Sequence, residues 1–371
     1  VAAFDSIHNT STEFDMNKTS LIRTAVLGWY DQNRRALSWR VPLGRQPDPY
    51  AVWLSEVMLQ QTTVAAVEGY FKAFIRKWPS VQALSAASDN DVMVAWAGLG
   101  YYARARNLLK CARQVVRDYN SKFPSSEGEL QLLAGIGPYT AAAIAAIAFD
   151  RPCVPVDVNI ERVVARLFAV RDQLPAAKQR IVKLAGSLNG LVRPGDFAQG
   201  LMDLGAMVCT SRSPACSQCP LRAFCGAAVQ NIAEILPLKT PKQARPVRSG
   251  AAFWIERSDG TILLRRRPNE GLLGGMTEIP FSEWEEGPFD NMRVVASAPV
   301  HGTWHKHGHV THTFTHFRLE LDVFSLEQDG EPVLRASADP WRCFWRSRTS
   351  LKDEALPSLM RKIIAVMDGK S

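Results

Sequence analysis

Residues 133–140 read Leu-Ala-Gly-Ile-Gly-Pro-Tyr-Thr, and the fold turns on how they are interpreted. The stretch follows one helical pattern and precedes another. Pro138 suits the first position of the second helix, where a missing N–H costs nothing. Gly135 and Gly137 let the backbone approach a ligand closely, and the N–H groups opening the next helix are free to meet an anion. Two glycines between helices also serve as a plain turn. If a ligand is present, a nucleic-acid phosphate is the anion that would suit.

Working outward, the chain up to about residue 227 reads as helical. Residues 49–78, 90–119, 138–149 and 159–169 carry apolar side chains at helical spacing, with Gly, Pro or Ser clusters between them. Residues 141–148 are apolar nearly all round, which predicts a helix inside a bundle. Residues 236–248 contain three Pro, four Lys or Arg and no acid, a composition that favours an extended, solvated connector. Beyond it the pattern becomes α+β. Short apolar runs at 251–255 and 261–264 flank a turn at Asp259-Gly260, residues 317–324 alternate as a half-buried strand, and 356–367 form an apolar helical stripe.

The 371 residues suit two domains, with 46 % hydrophobic and 22 % charged residues, ordinary values for folded protein. No apolar run reaches the length of a membrane span, and the polar N-terminus lacks the layout of an export signal. The net charge of +8 is uneven. Residues 1–227 hold 25 basic and 18 acidic side chains, and residues 228–371 hold 19 and 18. The excess in the first part suggests a polyanion such as nucleic acid.

Four of the seven cysteines, Cys209, Cys216, Cys219 and Cys225, fall within 17 residues. Zinc knuckles usually show two C-x2-C pairs, and here there is one. Clustered iron–sulfur centres take four cysteines at unequal gaps, often with Pro beside a ligand, as Pro220 follows Cys219. The spacing favours iron–sulfur over zinc and over disulfides. Cys111, Cys153 and Cys343 sit singly and read as small core residues.

Two carboxylates draw notice. Glu56 lies among apolar and aromatic neighbours in residues 49–62, sharing a helix face with Val52 and Gln60. Burial there would raise its pKa and let it hold a proton near neutrality; at the edge of the stripe it would stay in solvent. Asp157 is placed to cap the helix that follows, where backbone N–H groups would keep it ionised. One raised and one lowered acid can divide the work of breaking a glycosidic bond. Six of seven histidines lie in 301–316, and His305, His307 and His309 alternate. On a regular strand those three would face one way, either holding a metal or merely lining a polar surface.

Together, residues 133–140, Val154-Pro-Val-Asp157 and the four cysteines resemble the helix-hairpin-helix DNA glycosylases with an iron–sulfur cluster. Within that group, residues 53–62 (WLSEVMLQQT) and 98–107 (GLGYYARARN) look like the adenine DNA glycosylases of the MutY type. The second half is similar to the MutT-like (Nudix) fold, through residues 265–268 and 271–280. Its acidic run at 282–287 lacks the spacing for nucleotide hydrolysis.

The resemblance implies a multi-domain chain: an all-α helix-hairpin-helix glycosylase domain with an iron–sulfur loop, and an α+β MutT-like C-terminal domain. The expected divisions are a disordered N-terminus at 1–16, a catalytic domain at 17–227, a connector at 228–248 and a lesion-recognition domain at 249–369. Within the catalytic domain, a six-helix core covers about 41–150, and the cluster subdomain takes 17–40 and 151–227. Glu56 would protonate the leaving adenine, Asp157 would stabilise the sugar cation, and Tyr139 and Asn159 would assist. Gln61 and Tyr101 would enter the DNA stack. Gly135 and Gly137 would meet the backbone, and Phe314, Thr315 and His316 would sense 8-oxoguanine.

Tyr139 stands where the lyase-active relative endonuclease III has Lys, so no Schiff base is expected. Cys209, Cys216, Cys219 and Cys225 would hold one [4Fe-4S] cluster, with no nucleotide cofactor and no catalytic metal. The implied partner is double-stranded DNA with A:8-oxoguanine or A:G mispairs, bound by a monomeric, non-membrane protein of the bacterial cytoplasm. Three positions depart from the family pattern: Val158 for the usual Gly, Glu161 where a basic residue is found, and Thr315 for Ser.

Overall fold

The computed structural model describes residues 16–241, 244–287 and 291–369. Of the N-terminal segment expected to lack order, residues 1–15 lie outside the described residues, and Met16 opens the first helix. The helices run as α1 (Met16–Asn33), α2 (Pro49–Leu59), α3 (Val64–Lys77), α4 (Val81–Ser85), α5 (Asp89–Trp96), α6 (Ala103–Asp118) and α7 (Glu127–Gln131). They continue as α8 (Pro138–Phe149), α9 (Val158–Leu167), α10 (Lys178–Gly186), α11 (Pro194–Met207), α12 (Gly226–Val229), α13 (Asn291–Ala296) and α14 (Ser358–Met367). The chain divides into two compact units, Val1–Gln60 with Gln114–Pro241, and Gln61–Arg113 with Lys242–Ser371.

In the first unit α8 is the centre, buried from Thr140 through Ala148 as its all-round apolar sequence predicts. Its alanines admit α2 and α11 at close range. Helix α11 makes its own approach through glycine. A Cβ on Gly205 would lie 2.7 Å from Cβ of Asn159, so only glycine lets α11 pack this tightly on α9. A core of Ile22, Val26, Ile160, Val163, Val164, Phe197 and Leu201 locks α1, α9 and α11 together.

The helix expected over 49–78 is broken in two. Gln60 ends α2, Gln61 turns into the left-handed region at φ 57°, and the Thr63 hydroxyl caps α3. Helical spacing continues across the break, which is why the apolar pattern hides it. The supposed connector also differs from expectation. Leu236 is buried, its carbonyl accepts from Arg166 Nε at 2.9 Å, and Thr240 Oγ1 donates to the Leu174 carbonyl. Its apolar anchors hold the 236–240 stretch against the first unit despite a solvated composition.

The second unit contains a sheet of β1 (Val247–Arg257), β2 (Thr261–Arg266), β3 (Thr277–Glu278), β4 (Glu285–Glu286), β5 (His305–Thr313), β6 (Arg318–Gln328) and β7 (Cys343–Ser347). Neighbours follow β3-β2-β1-β6-β5, with β4 on β1 and β7 on β2. The hairpin read at Asp259-Gly260 joins antiparallel β1 and β2. Strand β6 alternates as predicted, and its inward residues Leu319, Leu321 and Val323 meet Leu359, Met360 and Ile363 of α14. The two strands β1 and β6 pair in parallel along their whole length. The acidic run at 282–287 gives exposed strand β4.

Candidate active site

Glu56 sits one turn from the C-terminus of α2, and it is 5 % exposed. The solvent-facing alternative is thereby excluded. Tyr139 Oη donates to Glu56 Oε2 at 2.8 Å. Burial pushes the Glu56 carboxyl up to about 7; the nearby charge of Asp157 pushes the same way, while the Tyr139 hydrogen bond and Arg40 oppose. The Tyr139 phenol is held well above its ordinary range by burial and both carboxylates, so it stays a donor.

Asp157 caps α9 as its position suggested. Its Oδ1 accepts from the backbone N–H groups of Asn159 at 3.0 Å and Ile160 at 2.7 Å, and its Oδ2 accepts from Asn159 Nδ2 at 2.8 Å. The expected direction of its pKa is nevertheless wrong. Desolvation outweighs all three hydrogen bonds and raises it above the usual aspartate value. Both acids are therefore raised. They are separated by degree, since only Asp157 is surrounded by donors.

Asn159 is itself held. Arg162 Nη2 donates to Asn159 Oδ1 at 2.9 Å and to the Gly205 carbonyl, while Arg162 Nε donates to the Cys209 carbonyl at 2.6 Å. One turn on, Arg166 donates to Cys209 Sγ at 3.3 Å and to the Thr210 carbonyl. One face of α9 thus ties the Asp157 cap to the cysteine loop.

The four cysteines lie on that loop and α12's approach, each half-buried and free of disulfides. Cys219 feels the charges of Cys209, Cys216 and Cys225, so the thiols are neighbours. Among the described residues no three His, Cys, Asp or Glu side chains converge to hold a single ion. A group in which each thiolate binds its own iron fits this donor set, and the buried Arg166 guanidinium donates to the Cys209 sulfur. The histidine alternation fails for a local reason. A β-bulge lies between Lys306 and Gly308, which puts His307 out of register, and His309 bonds Asp322 at 3.1 Å.

A third charged group was missed in the sequence. Asp203 on α11 is fully buried and accepts from Arg35 N and Nε and from both terminal nitrogens of Arg40. Arg40 in turn lowers the Glu56 pKa. The available signal was an acid within the apolar run of α11.

In the hairpin, Leu133 and Ile136 are buried anchors, while Gly135 and Gly137 are exposed. Gly135 has φ 76°, and no side chain caps α8 at Gly137. A Cβ on Gly137 would meet nothing within 4 Å, so the space beside this uncapped helix end is open.

In the second unit, Tyr101 is 45 % exposed with φ 48°. The turn carrying it is fixed by buried Arg104, which donates to the carbonyls of Leu99 and Gly100. Tyr101 Oη and Thr315 Oγ1 are 2.8 Å apart. Thr315 and His316 are exposed at the β5–β6 turn, and the Phe314 ring packs among His312, Trp284 and Phe317. Gln61 is exposed in the same unit.

A helical hairpin with an open helix terminus, a buried acid beside a capped aspartate and a four-cysteine loop define a helix-hairpin-helix base-excision enzyme. Residues 54–187 match the HhH-GPD superfamily of base excision DNA repair proteins. Residues 209–225 match the iron-sulfur binding domain of endonuclease III, and residues 251–366 match the NUDIX domain. The chain is 35 % identical to the adenine DNA glycosylase of Homo sapiens, aligned over 96 % of this chain and 76 % of that one. It is 34 % identical to that of Rattus norvegicus, over 95 % and 79 %. A solved thermostable thymine-DNA glycosylase superposes with TM-score 0.52 at 27 % identity, covering 58 % of this chain and 98 % of the other. The chain belongs to the adenine DNA glycosylases, iron–sulfur enzymes of base excision repair that hydrolyse N-glycosyl bonds in DNA.

Proposed function

We propose that this glycosylase removes adenine paired with 8-oxoguanine, and adenine paired with guanine, as a monofunctional hydrolase. The observation that carries the reading is the buried Glu56 carboxyl, raised to about 7 and bonded by Tyr139. At neutral pH a large share of Glu56 holds a proton, which it passes to N7 of a flipped adenine. The C1′–N9 bond then breaks, its electron pair leaving with the base. The ionised form of Asp157, which accepts from three donors, offsets the positive charge that develops on the sugar. Water adds to C1′ and loses a proton. Asn159 and Arg162 hold Asp157 in place throughout. A phenol at position 139 forms no imine with the sugar, which supports the absence of a lyase step.

The uncapped helix end at Gly137 suits a backbone phosphate. Tyr101 and Gln61, both exposed in left-handed turns, suit entry into the stack beside the vacated site. Phe314, Thr315 and His316 offer a ring, a hydroxyl and an imidazole to the base opposite. One [4Fe-4S] cluster on Cys209, Cys216, Cys219 and Cys225 would brace the loop that Arg162 and Arg166 hold against α9. No step of the excision needs its electrons.

The test is release of free adenine from duplexes containing A:8-oxoguanine or A:G, with a thymine-glycol duplex alongside. Adenine released from the first two and no cleavage of the third is expected. Efficient borohydride crosslinking to the A:8-oxoguanine duplex would refute the monofunctional assignment, and cleavage of thymine glycol would move the enzyme to pyrimidine repair.

A further inference from the structure

The second half of the chain is nearly neutral overall, yet one end of its sheet gathers arginines. A cavity of about 540 Å³ lies where the end of β2 meets the start of β7, and Arg266, Arg267, Arg342, Arg346, Trp341 and Phe344 line it. No carboxylate is among the lining residues. Two buried acids stand beneath: Glu278 holds Arg265 and Arg267, and Glu354 holds Arg266 and Arg346. Each carboxylate orients two guanidinium groups and offsets only one of their two charges. Five arginines stand against Glu278, Glu354 and the neighbouring Asp339, which leaves a positive excess. Nε of Arg267 and Nε of Arg342 are buried without a hydrogen-bond partner.

The aromatic rings are placed between these charges. Arg342 lies 4.3 Å from the Trp341 ring centre, and Phe344 has Arg266 at 5.7 Å and Arg346 at 5.1 Å. Trp341 is 75 % exposed, so a large flat face is open to solvent. Guanidinium donors beside an open indole match a phosphate joined to a flat base. The volume is enough for one nucleotide.

Strand pairing puts this cavity at the same end of the sheet as the Phe314–His316 turn. Strand β2 runs antiparallel to β1, which pairs in parallel with β6. The cavity lies near the opposite edge, roughly 20 Å from the turn by strand spacing.

We propose that this cavity binds an unpaired nucleotide, through its phosphate on Arg266, Arg267, Arg342 and Arg346 and its base on Trp341. The nucleotide belongs to a DNA strand or is a free nucleoside monophosphate. The site lies within the second unit, shares no residue with the excision residues, and does not depend on the mispair assigned above.

The test uses the full chain and fluorescence anisotropy of a labelled ten-residue oligothymidine at low salt, with thymidine monophosphate as competitor. Trp341→Ala with Arg342→Ala removes the open ring and the guanidinium that has no carboxylate partner, leaving Glu278 and Glu354 paired. Oligothymidine affinity should fall by roughly tenfold or more. Trp341→Phe, which keeps a stacking face, should retain most of it. Adenine release under single turnover should stay at the wild-type rate, which shows the variants folded and leaves the catalytic reading untouched. Competition by the monophosphate identifies a free-nucleotide site; binding of the oligomer alone identifies a strand site. Equal oligothymidine affinity in the wild type and the double variant would overturn the proposal.

Discussion

Glu56 with Tyr139 and Tyr101 with Thr315 are two oxygen–oxygen contacts of the same length, 2.8 Å, in opposite surroundings. Glu56 is 5 % exposed, and its hydrogen bond belongs to a network of buried charge that includes Asp157 and Arg40. Tyr101 is 45 % exposed and Thr315 is exposed as well. Burial turns the first contact into a control on protonation. Water competes for the second, so it is easily exchanged for a contact to DNA, at a net cost of ~1 kcal/mol. On the proposed function, chemistry is placed where desolvation raises the energy of a charge, and recognition where a bond can be surrendered.

The largest break in this comparison is Glu56→Gln. The amide keeps the shape and the Tyr139 partner but has no proton to give. Single-turnover adenine excision should fall by ~1,000-fold or more, the upper part of the range for general acids. Binding of the mispaired duplex should persist in a gel-shift assay. Excision within tenfold of wild type would remove Glu56 from the role of acid.

Next in size is Asn159→Leu. It deletes the 2.8 Å donor to Asp157 Oδ2 and the acceptor of Arg162. The Asp157 pKa, already raised by burial, should rise further because the ionised form loses a partner. Excision should drop by ~10–100-fold, taking the lost bond to a charged group at its usual worth. The diagnostic readout is the low-pH limb of the rate profile, which should move to higher pH. A lower rate with an unmoved limb would make Asn159 a packing residue only.

A smaller effect is expected from Tyr139→Phe. The phenol favours ionised Glu56, so its removal should lift the Glu56 pKa above its present value of about 7. On the proposed mechanism excision requires the protonated form, so the rate of the wild type should decline as pH rises through about 7. In the variant that decline should begin at higher pH, with a plateau lowered only several-fold by the lost positioning, ~1 kcal/mol. A decline shifted to lower pH would reverse the sign of this bond.

Much of the site was legible because its residues announce themselves locally. Asp157 stands at a cap, Gly135 and Gly137 bracket a turn, and the cysteines share one short loop. What was hidden depends on distance along the chain or on competition between forces. Asp203 and its arginines are more than 160 residues apart in sequence, so no local pattern joins them. The Asp157 capping bonds were visible, but the burial that overrides them belongs to the tertiary fold. The break at Gln61 was masked because the apolar spacing on both sides stays in phase, and the bulge at His307 because alternation says nothing of register.

The finest test of the comparison is Thr315→Val, which removes the exposed hydroxyl at nearly constant shape. Two consequences separate here. Losing the bond to Tyr101 alone would affect every substrate alike, because that bond contains no atom of the base. Losing a bond to the lesion would affect only duplexes containing 8-oxoguanine. The ratio of kcat/KM for A:8-oxoguanine over A:G should therefore fall by up to about tenfold, the worth of one hydrogen bond, while the rate at saturation holds. An unchanged ratio with both substrates weakened together would leave Thr315 as a partner of Tyr101 and move lesion sensing to Phe314 and His316. The threonine methyl sharpens the reading further. If Thr315→Ser raises the ratio above wild type, the methyl now limits how closely the turn approaches the base.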